Sequence, residues 1–424
     1  MDLPARKPEV TYRALLGVPG FGRMALGSQL GRIGGTMAQI SLVLFVLGHF
    51  HSPTLAGLTE FLAIFPGLLI APLAGALLDR HGRVRLVTAD FVVAALCLAL
   101  IGVLGLAGRL PAWLLLVIVG LSSLTSPLSS TGLRSLYPLM VPSRLWERAN
   151  AIDSNGYIVA SIFGPALAGL LVGLAGGPVA IISTALFFVA AAVVVRSVPE
   201  PDAEIHSSGS LLRDAWLGLV HVVVQNATLR GVAVLLFATN LAQGILVIAL
   251  PVLILQRLHQ GPGTVGLLYT TMGVAAFFTV LLAGRMRTDG RERQMLVASL
   301  AATAAGMALL PFAQATWLVF VAMAVLGIAV APFDVAFFTL RQRRTHVSWI
   351  GRAFAVSMAL NFSGQPIGAA LAGPLIGVSL TGALVAAVLI TLIAAPLPLL
   401  LIPATAAPLQ SADGQQDEEP AQKL

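Results

Sequence analysis

Apolar runs of about 20 residues, each long enough to cross a bilayer as a helix, recur along nearly the whole chain. The breaks between them are short and polar, and they predict twelve membrane helices. In the first half these cover 20–48, 54–78, 84–107, 111–133, 149–173 and 177–196; in the second, 227–255, 262–284, 294–313, 316–340, 351–377 and 379–402. The one long interruption, from Arg196 to Thr228, divides them six and six. The expected organisation is a segment at 1–19, a six-helix bundle at 20–196, a linker at 197–226, a second bundle at 227–402 and a polar, disordered tail at 403–424.

Composition agrees with an all-α polytopic membrane protein: 57% of residues are hydrophobic, 10% charged, and mean hydropathy is +0.92. The net charge of +7 would raise the question of nucleic acid in a soluble chain. Location answers it. Lys7 and Lys423 are the only lysines, and most arginines fall in alternate loops: Arg80, Arg83, Arg85; Arg144, Arg148; Arg285, Arg287, Arg291, Arg293; Arg341, Arg343, Arg344. The intervening loops carry Arg109 and Arg257. This asymmetry is the positive-inside pattern, so both termini and the basic loops are expected on the cytoplasmic side of a cell (inner) membrane. No basic stripe interleaved with aromatics suggests nucleic-acid binding. The first 19 residues do not read as a cleaved signal peptide.

Enzyme chemistry finds no foothold. Cys97 stands alone, no His/Cys/Asp/Glu spacing suits a metal, no phosphate-binding glycine loop is present and no serine has a triad context. The expectation is a non-enzyme without cofactor. Its partners are the lipid bilayer, a small-molecule substrate and protons, with a proton gradient as the energy source, and it is taken as a monomer.

The halves echo each other. Arg148-Ala149-Asn150-Ala151 pairs with Arg352-Ala353-Phe354-Ala355, and Leu167-Ala168-Gly169 with Leu371-Ala372-Gly373, both at an offset of 204 residues. Parallel six-helix repeats with a site at their interface are a recurring design for alternating access.

The segment Gly75 to Arg85, GALLDRHGRVR, reads as a compact charged turn between two apolar runs. It resembles the signature between helices 2 and 3 of the major facilitator superfamily, G-x-x-x-D-R-x-G-R-[KR]. Gly75, Asp79, Arg80, Gly82 and Arg83 match, whereas Val84 departs from the last position. The region LRSLYPLMVPSRLWERANAIDSNGYIVASIFGPALAG resembles helices 4 and 5 of the branch that includes macrolide and siderophore exporters. The resemblance implies that Asp79, Arg83 and Arg134 latch the outward-open state, with Asp79 facing the start of helix 11 and Gly75 allowing close helix contact. A loop that only sets topology is the plainer reading. The second-half copy, GRMRTDGRER, keeps Gly284 and Asp289 at a spacing one residue longer, which predicts a weaker latch. Gly164, Pro165 and Gly169 resemble the antiporter motif of helix 5, or else serve ordinary small-residue packing.

Ionisable groups inside membrane segments are costly and point to function. Arg32 lies about 15 Å into helix 1 by helical rise, near the midplane. One of Glu60, Asp90, Asp153 and Asp334 is expected to take up a proton in one state and release it in the other; satisfied interhelical pairs are the alternative. Gln39, Asn240, Gln243, Asn361 and Gln365 are expected substrate-cavity contacts, with interhelical hydrogen bonding as the alternative for each. Together these readings predict a secondary transporter, most specifically proton-coupled efflux of a small amphipathic or lipophilic compound. Nutrient uptake, lysophospholipid flipping and a non-transporting sensor or scaffold are the rivals.

Overall fold

The structure is a computed structural model that describes residues 11–200, 220, 224, 226–283, 290–344 and 350–403, with backbone alone at 283, 342 and 350–360. Twelve long helices carry the fold. In the first half these are α1 (Phe21–His49), α2 (Pro53–His81), α3 (Arg83–Leu106), α4 (Ala112–Met140), α5 (Trp146–Ala175) and α6 (Gly177–Arg196). In the second they are α7 (Ala227–Val252, continued by a π turn over Leu253–Arg257), α8 (Pro262–Ala283), α9 (Glu292–Ala308), α10 (Thr316–Arg343), α11 (Ile350–Val378) and α12 (Leu380–Ala394). Among the described residues, ten helices are long and apolar enough to cross a membrane; α9, at 17 residues, and α11 fall outside that test.

Helices α1–α6 pack into one bundle and α7–α12 into a second. Large apolar side chains such as Leu69, Leu96, Leu174, Leu186 and Ile393 stay exposed on the outside, which only a lipid environment tolerates on this scale. Several helices contain prolines in their interiors, among them Pro66 and Pro72 of α2, Pro127 and Pro138 of α4 and Pro332 of α10, as membrane helices permit when neighbours cover the freed carbonyls.

The helices run further than the apolar windows predicted. α2 continues to His81 and α4 to Met140, because polar residues at the membrane surface extend a helix without being hydrophobic. GALLDRHGRVR is therefore not a loop. Asp79, Arg80 and His81 form the last turn of α2, Arg83 opens α3, and Gly82 alone makes the turn, at φ +90° and ψ 134°, where a side chain would be strained.

The bundles touch along two seams, α2 against α11 and α5 against α8. A Cβ on Gly57 of α2 would stand 2.2 Å from the Ala369 carbonyl oxygen, and one on Gly373 of α11 would stand 2.2 Å from the Thr54 Cα. On the other seam, a Cβ on Gly169 would reach 2.8 Å from Gly266 Cα. All these approaches lie towards the end that carries the α1–α2 and α7–α8 connections. At the opposite, basic end a Cβ on Gly75 would meet nothing within 4 Å. The close helix contact expected at Gly75 has no neighbour among the described residues.

Candidate functional site

Arg32 is not a lone charge. Its Nη2 donates to Asp153 Oδ1 and its Nη1 to the Asp153 carbonyl at 2.9 Å, joining α1 to α5. Both side chains are largely shielded, at 12% and 16% exposure. Tyr157, one turn along from Asp153 on the same face of α5, lies under the guanidinium with its ring centroid 3.9 Å from Arg32 Cζ. Gly156 makes room for this pair, since a Cβ there would fall 2.6 Å from Arg32 Nη1. Arg134 of α4 completes the group by donating from Nη2 to the Tyr157 hydroxyl at 2.9 Å. Arg134 is thus tied to α5 in this conformation, not to Asp79.

Glu60 occupies a different place. It lies about 10 Å along α2 from the closed end, is 3% exposed, and accepts from Gln39 Nε2 of α1 at 2.5 Å. Gln365, from α11 of the other bundle, lies beside the same carboxylate, and Tyr269 of α8 lies within electrostatic reach. Residues scattered over four helices and both halves therefore converge on one carboxylate at the bundle seam.

The other acids are dispersed. Asp90 of α3 is 4% exposed and lies beside the Ser129 and Thr125 hydroxyls of α4. Asp334 of α10 is exposed on a cavity and has no ion pair or hydrogen bond among the described residues. Asp79 is half-exposed and pairs with Arg83 Nη2 at 2.5 Å. Arg83 Nε also donates to Ser135 Oγ of α4 at 3.1 Å, while Arg80 is exposed. The expected contact of Asp79 with the start of α11 concerns side chains outside the described residues, as do Gly284 and Asp289. Within the described residues, the second half pairs Glu292 of α9 with Arg343 of α10 at 2.6 Å.

Sequence reasoning missed Glu200. Its carboxylate, just beyond α6, accepts from the backbone N–H groups of Arg83 at 2.6 Å, Val84 at 2.9 Å and Arg85 at 3.3 Å. It thereby caps the positive end of α3. A signal was available: Gly82 has no side chain to cap α3 itself, and PEP follows the last residues of α6.

The antiporter-like motif faces two ways. Gly164 lets α5 close on Thr36 of α1, whose hydroxyl donates to the Ala160 carbonyl at 3.0 Å. Pro165 and Gly169 instead face α8, where a Cβ on Gly266 would stand 2.4 Å from the Pro165 carbonyl oxygen.

Two cavities take in most of the expected polar positions. A cavity of about 530 Å³ lies within the first bundle and includes Arg32, Gln39, Glu60, Asp90 and Ser126 in its wall. One of about 420 Å³ lies within the second and brings together Asn240, Gln243, Asp334 and Asn361. Gln365 belongs to the seam instead. Asn240 Nδ2 donates to the Leu236 and Asn361 carbonyls, at 2.9 and 3.0 Å. Among the described residues no three His, Cys, Asp or Glu side chains converge on a metal position.

Two bundles, a closed seam at one end and polar cavities beside it form the frame of an alternating-access carrier. The profile of the family described as "Transmembrane secretion effector" matches residues 14–422. The chain belongs to the MFS_3 family. This places it among major facilitator superfamily transporters, multi-pass membrane proteins that carry small molecules by alternating access rather than catalysing reactions. It is 37% identical over 376 residues to the "uncharacterized MFS-type transporter y4rN" of Sinorhizobium fredii, covering 86% of this chain and 90% of that one. It is 21% identical to macrolide efflux protein A of Streptococcus pyogenes, over 82% of this chain and 86% of that protein. Its fold matches a crystal structure of the nucleoside transporter NupG with a TM-score of 0.73 at 11% identity, covering 90% of this chain and all of that one.

Proposed function

We propose that this protein exports a small amphipathic or lipophilic compound across the cytoplasmic membrane in exchange for protons, and that Glu60 carries the proton. The basic end then faces the cytoplasm, and the described conformation is closed to the outside. The observation that carries the reading is the position of Glu60, held by Gln39 in its own bundle and faced by Gln365 across the seam.

Opening the outer end pulls α2 from α11, removes the Gln365 contact and brings Glu60 towards outside water. Burying the carboxylate as an anion costs far more than burying it as a neutral acid, so proton uptake outside favours closing. Glu60 also borders the first-bundle cavity, which gives the proton a route inward once that bundle faces the cytoplasm. Arg32, held by Asp153 and Tyr157, is a fixed positive charge beside this route. Asp79, Arg83 and Arg134 form the opposing inner latch, engaged when the basic end closes. The resemblance to efflux proteins and the secretion description of the family support the outward direction.

The test uses inside-out vesicles with an imposed inward-acid interior and a panel of lipophilic probes. Wild-type vesicles should accumulate at least one probe in proportion to the gradient, whereas Glu60→Gln should lose accumulation and keep probe exchange at equilibrium. Gradient-driven accumulation that survives Glu60→Gln removes Glu60 from the mechanism; movement in the opposite direction removes export.

A further inference from the structure

The first-bundle cavity lies to one side of the space between the bundles. Its wall takes in six residues of α3, from Asp90 to Ile101, and Phe188 of α6, two helices that pack within their own bundle. None of its described wall residues comes from the second half. One continuous space of about 530 Å³ thus has both Glu60 and Asp90 in its wall. Glu60 lies about 10 Å from the closed end, and Asp90, seven residues into α3, about 10 Å from the basic end. Along the 29 residues of α2 this leaves about 20 Å between the levels of the two acids.

A polar stripe fills that interval. Ser122, Ser126 and Ser130 of α4 repeat every four residues in the same wall, with Ser123 and Ser129 beside them, and cover about 12 Å of the gap. Ser123, Ser126, Ser129 and Ser130 each donate to a carbonyl three residues earlier in their own helix. A hydroxyl whose proton is engaged in this way still offers lone pairs to water. At about 30 Å³ per molecule, the cavity has room for a file of waters along these oxygens.

Asp90 has no part in the exchange described above. It is 4% exposed, and no cation pairs with it among the described residues. Arg32 and Glu60 are the other charged side chains in the described wall, and Arg32 is already held by Asp153. A buried carboxylate without a cation is costly as an anion, and a proton removes the cost.

We propose that this cavity is a proton passage separate from the cargo path, and that Asp90 is its inner relay. Glu60 gives its proton to water in the cavity. Asp90 takes one from the same water and releases it at the basic end, so only O–H bonds break and form and the water is returned unchanged. The cargo moves between the bundles and does not enter the passage. The claim rests on the reading of Glu60 as proton carrier for the origin of the proton, and on the shape of the cavity for its path.

Cys97, the only cysteine in the chain, stands in the same wall and reports on it directly. By helical rise it lies about 20 Å from the basic end and Ser130 about 15 Å, so Ser130→Trp puts a large ring between Cys97 and that end. The first measurement is reaction of the full-length protein, in lipid nanodiscs, with a trimethylammonium methanethiosulfonate, a reagent confined to water. Wild-type Cys97 should react, and Ser130→Trp should lose the reaction. The second uses inside-out vesicles with an acid interior and ethidium and tetraphenylphosphonium as probes. Asp90→Asn, which keeps the shape beside Ser129 and Thr125 but cannot carry the proton, should lower gradient-driven accumulation at least about tenfold, as should Ser130→Trp. Exchange without a gradient should persist in both, which also shows that they fold, and Asp90→Glu should restore accumulation. An unreactive Cys97, accumulation that survives Asp90→Asn, or exchange that falls together with accumulation in Ser130→Trp overturns the proposal; the last result would make the cavity part of the cargo path. Labelling needs neither probe nor gradient. Accumulation lost in Asp90→Asn but kept in Glu60→Gln would remove Glu60 as carrier and leave the passage standing, and the converse would remove the relay and leave Glu60.

Discussion

The closed seam can be forced open at Gly57. In the described conformation a Cβ at that position would stand 2.2 Å from the backbone oxygen of Ala369 and 3.1 Å from its carbonyl carbon. Ordinary contact begins near 3.4 Å, so the oxygen is 1.2 Å too close, and a backbone atom cannot swing aside as the end of a side chain can. Gly57→Val adds two methyl groups beyond that Cβ. Overpacking of this kind costs about 1–3 kcal/mol, which falls on the closed state alone and shifts the open-to-closed ratio roughly 5- to 150-fold. Gly75→Val is the control, since its Cβ meets open space here. If Gly75 meets α11 when the basic end closes, this variant loads the opposite state and holds the protein as described.

The assay is a pulsed-EPR distance between labels at Leu174→Cys in the first bundle and Val378→Cys in the second, in a Cys97→Ala background. Leu174 and Val378 are both exposed near the closed end. Gly57→Val should lengthen the distance distribution, and Gly75→Val should leave it short. An unchanged distribution in Gly57→Val, or opening in Gly75→Val, would refute the assignment of the closed end.

Other substitutions probe the supports around the site. Asp153→Asn leaves the guanidinium of Arg32 largely buried without its carboxylate and should cost about 3–5 kcal/mol, whereas adding Arg32→Met should recover part of the loss. A double-mutant cycle on thermal stability measures this, and strict additivity would mean that the pair is not coupled. Glu200→Ala removes the acceptor for three backbone N–H groups at the start of α3 and should cost about 1 kcal/mol, seen as a lower melting temperature. Glu292→Gln should loosen the α9–α10 pair with Arg343 and speed proteolysis at the basic end while leaving the distance between the two labels unchanged.

The twelve helices were legible because apolar length alone demands them, and the six-and-six division followed from one polar interruption. The helix ends were not. Arg80, His81 and the last turns of α4 look like loop to hydropathy, although a helix needs no apolar side chains once it reaches the membrane surface. Arg32 was legible as an anomaly, a charge deep in an apolar run, but its partner lies 121 residues away on α5 and nothing local selects Asp153 over Asp90.

Glu60 shows the same limit more sharply. Its carboxylate, Gln39 and Gln365 each stood out as a polar group in an apolar helix. That they meet depends on which face of α2 opposes α11, which is a property of two bundles and not of either helix. Glu200 was overlooked because it lies past the last apolar residue of α6, and its role is defined by a helix that starts 117 residues earlier. The turn at Gly82 was recognised by its residue pattern, but its one-residue length could be seen only once both flanking helices were traced.

The central claim is that protonation of Glu60 and closure of this end are one equilibrium. The most direct test is the same inter-bundle distance measured as pH is raised, in wild-type protein and in Glu60→Gln. Loss of the proton makes burial of Glu60 costly, so the open population of the wild type should grow as pH rises, and that of Glu60→Gln should stay closed throughout. A wild-type distance that ignores pH, or the same pH response in Glu60→Gln, would contradict the account.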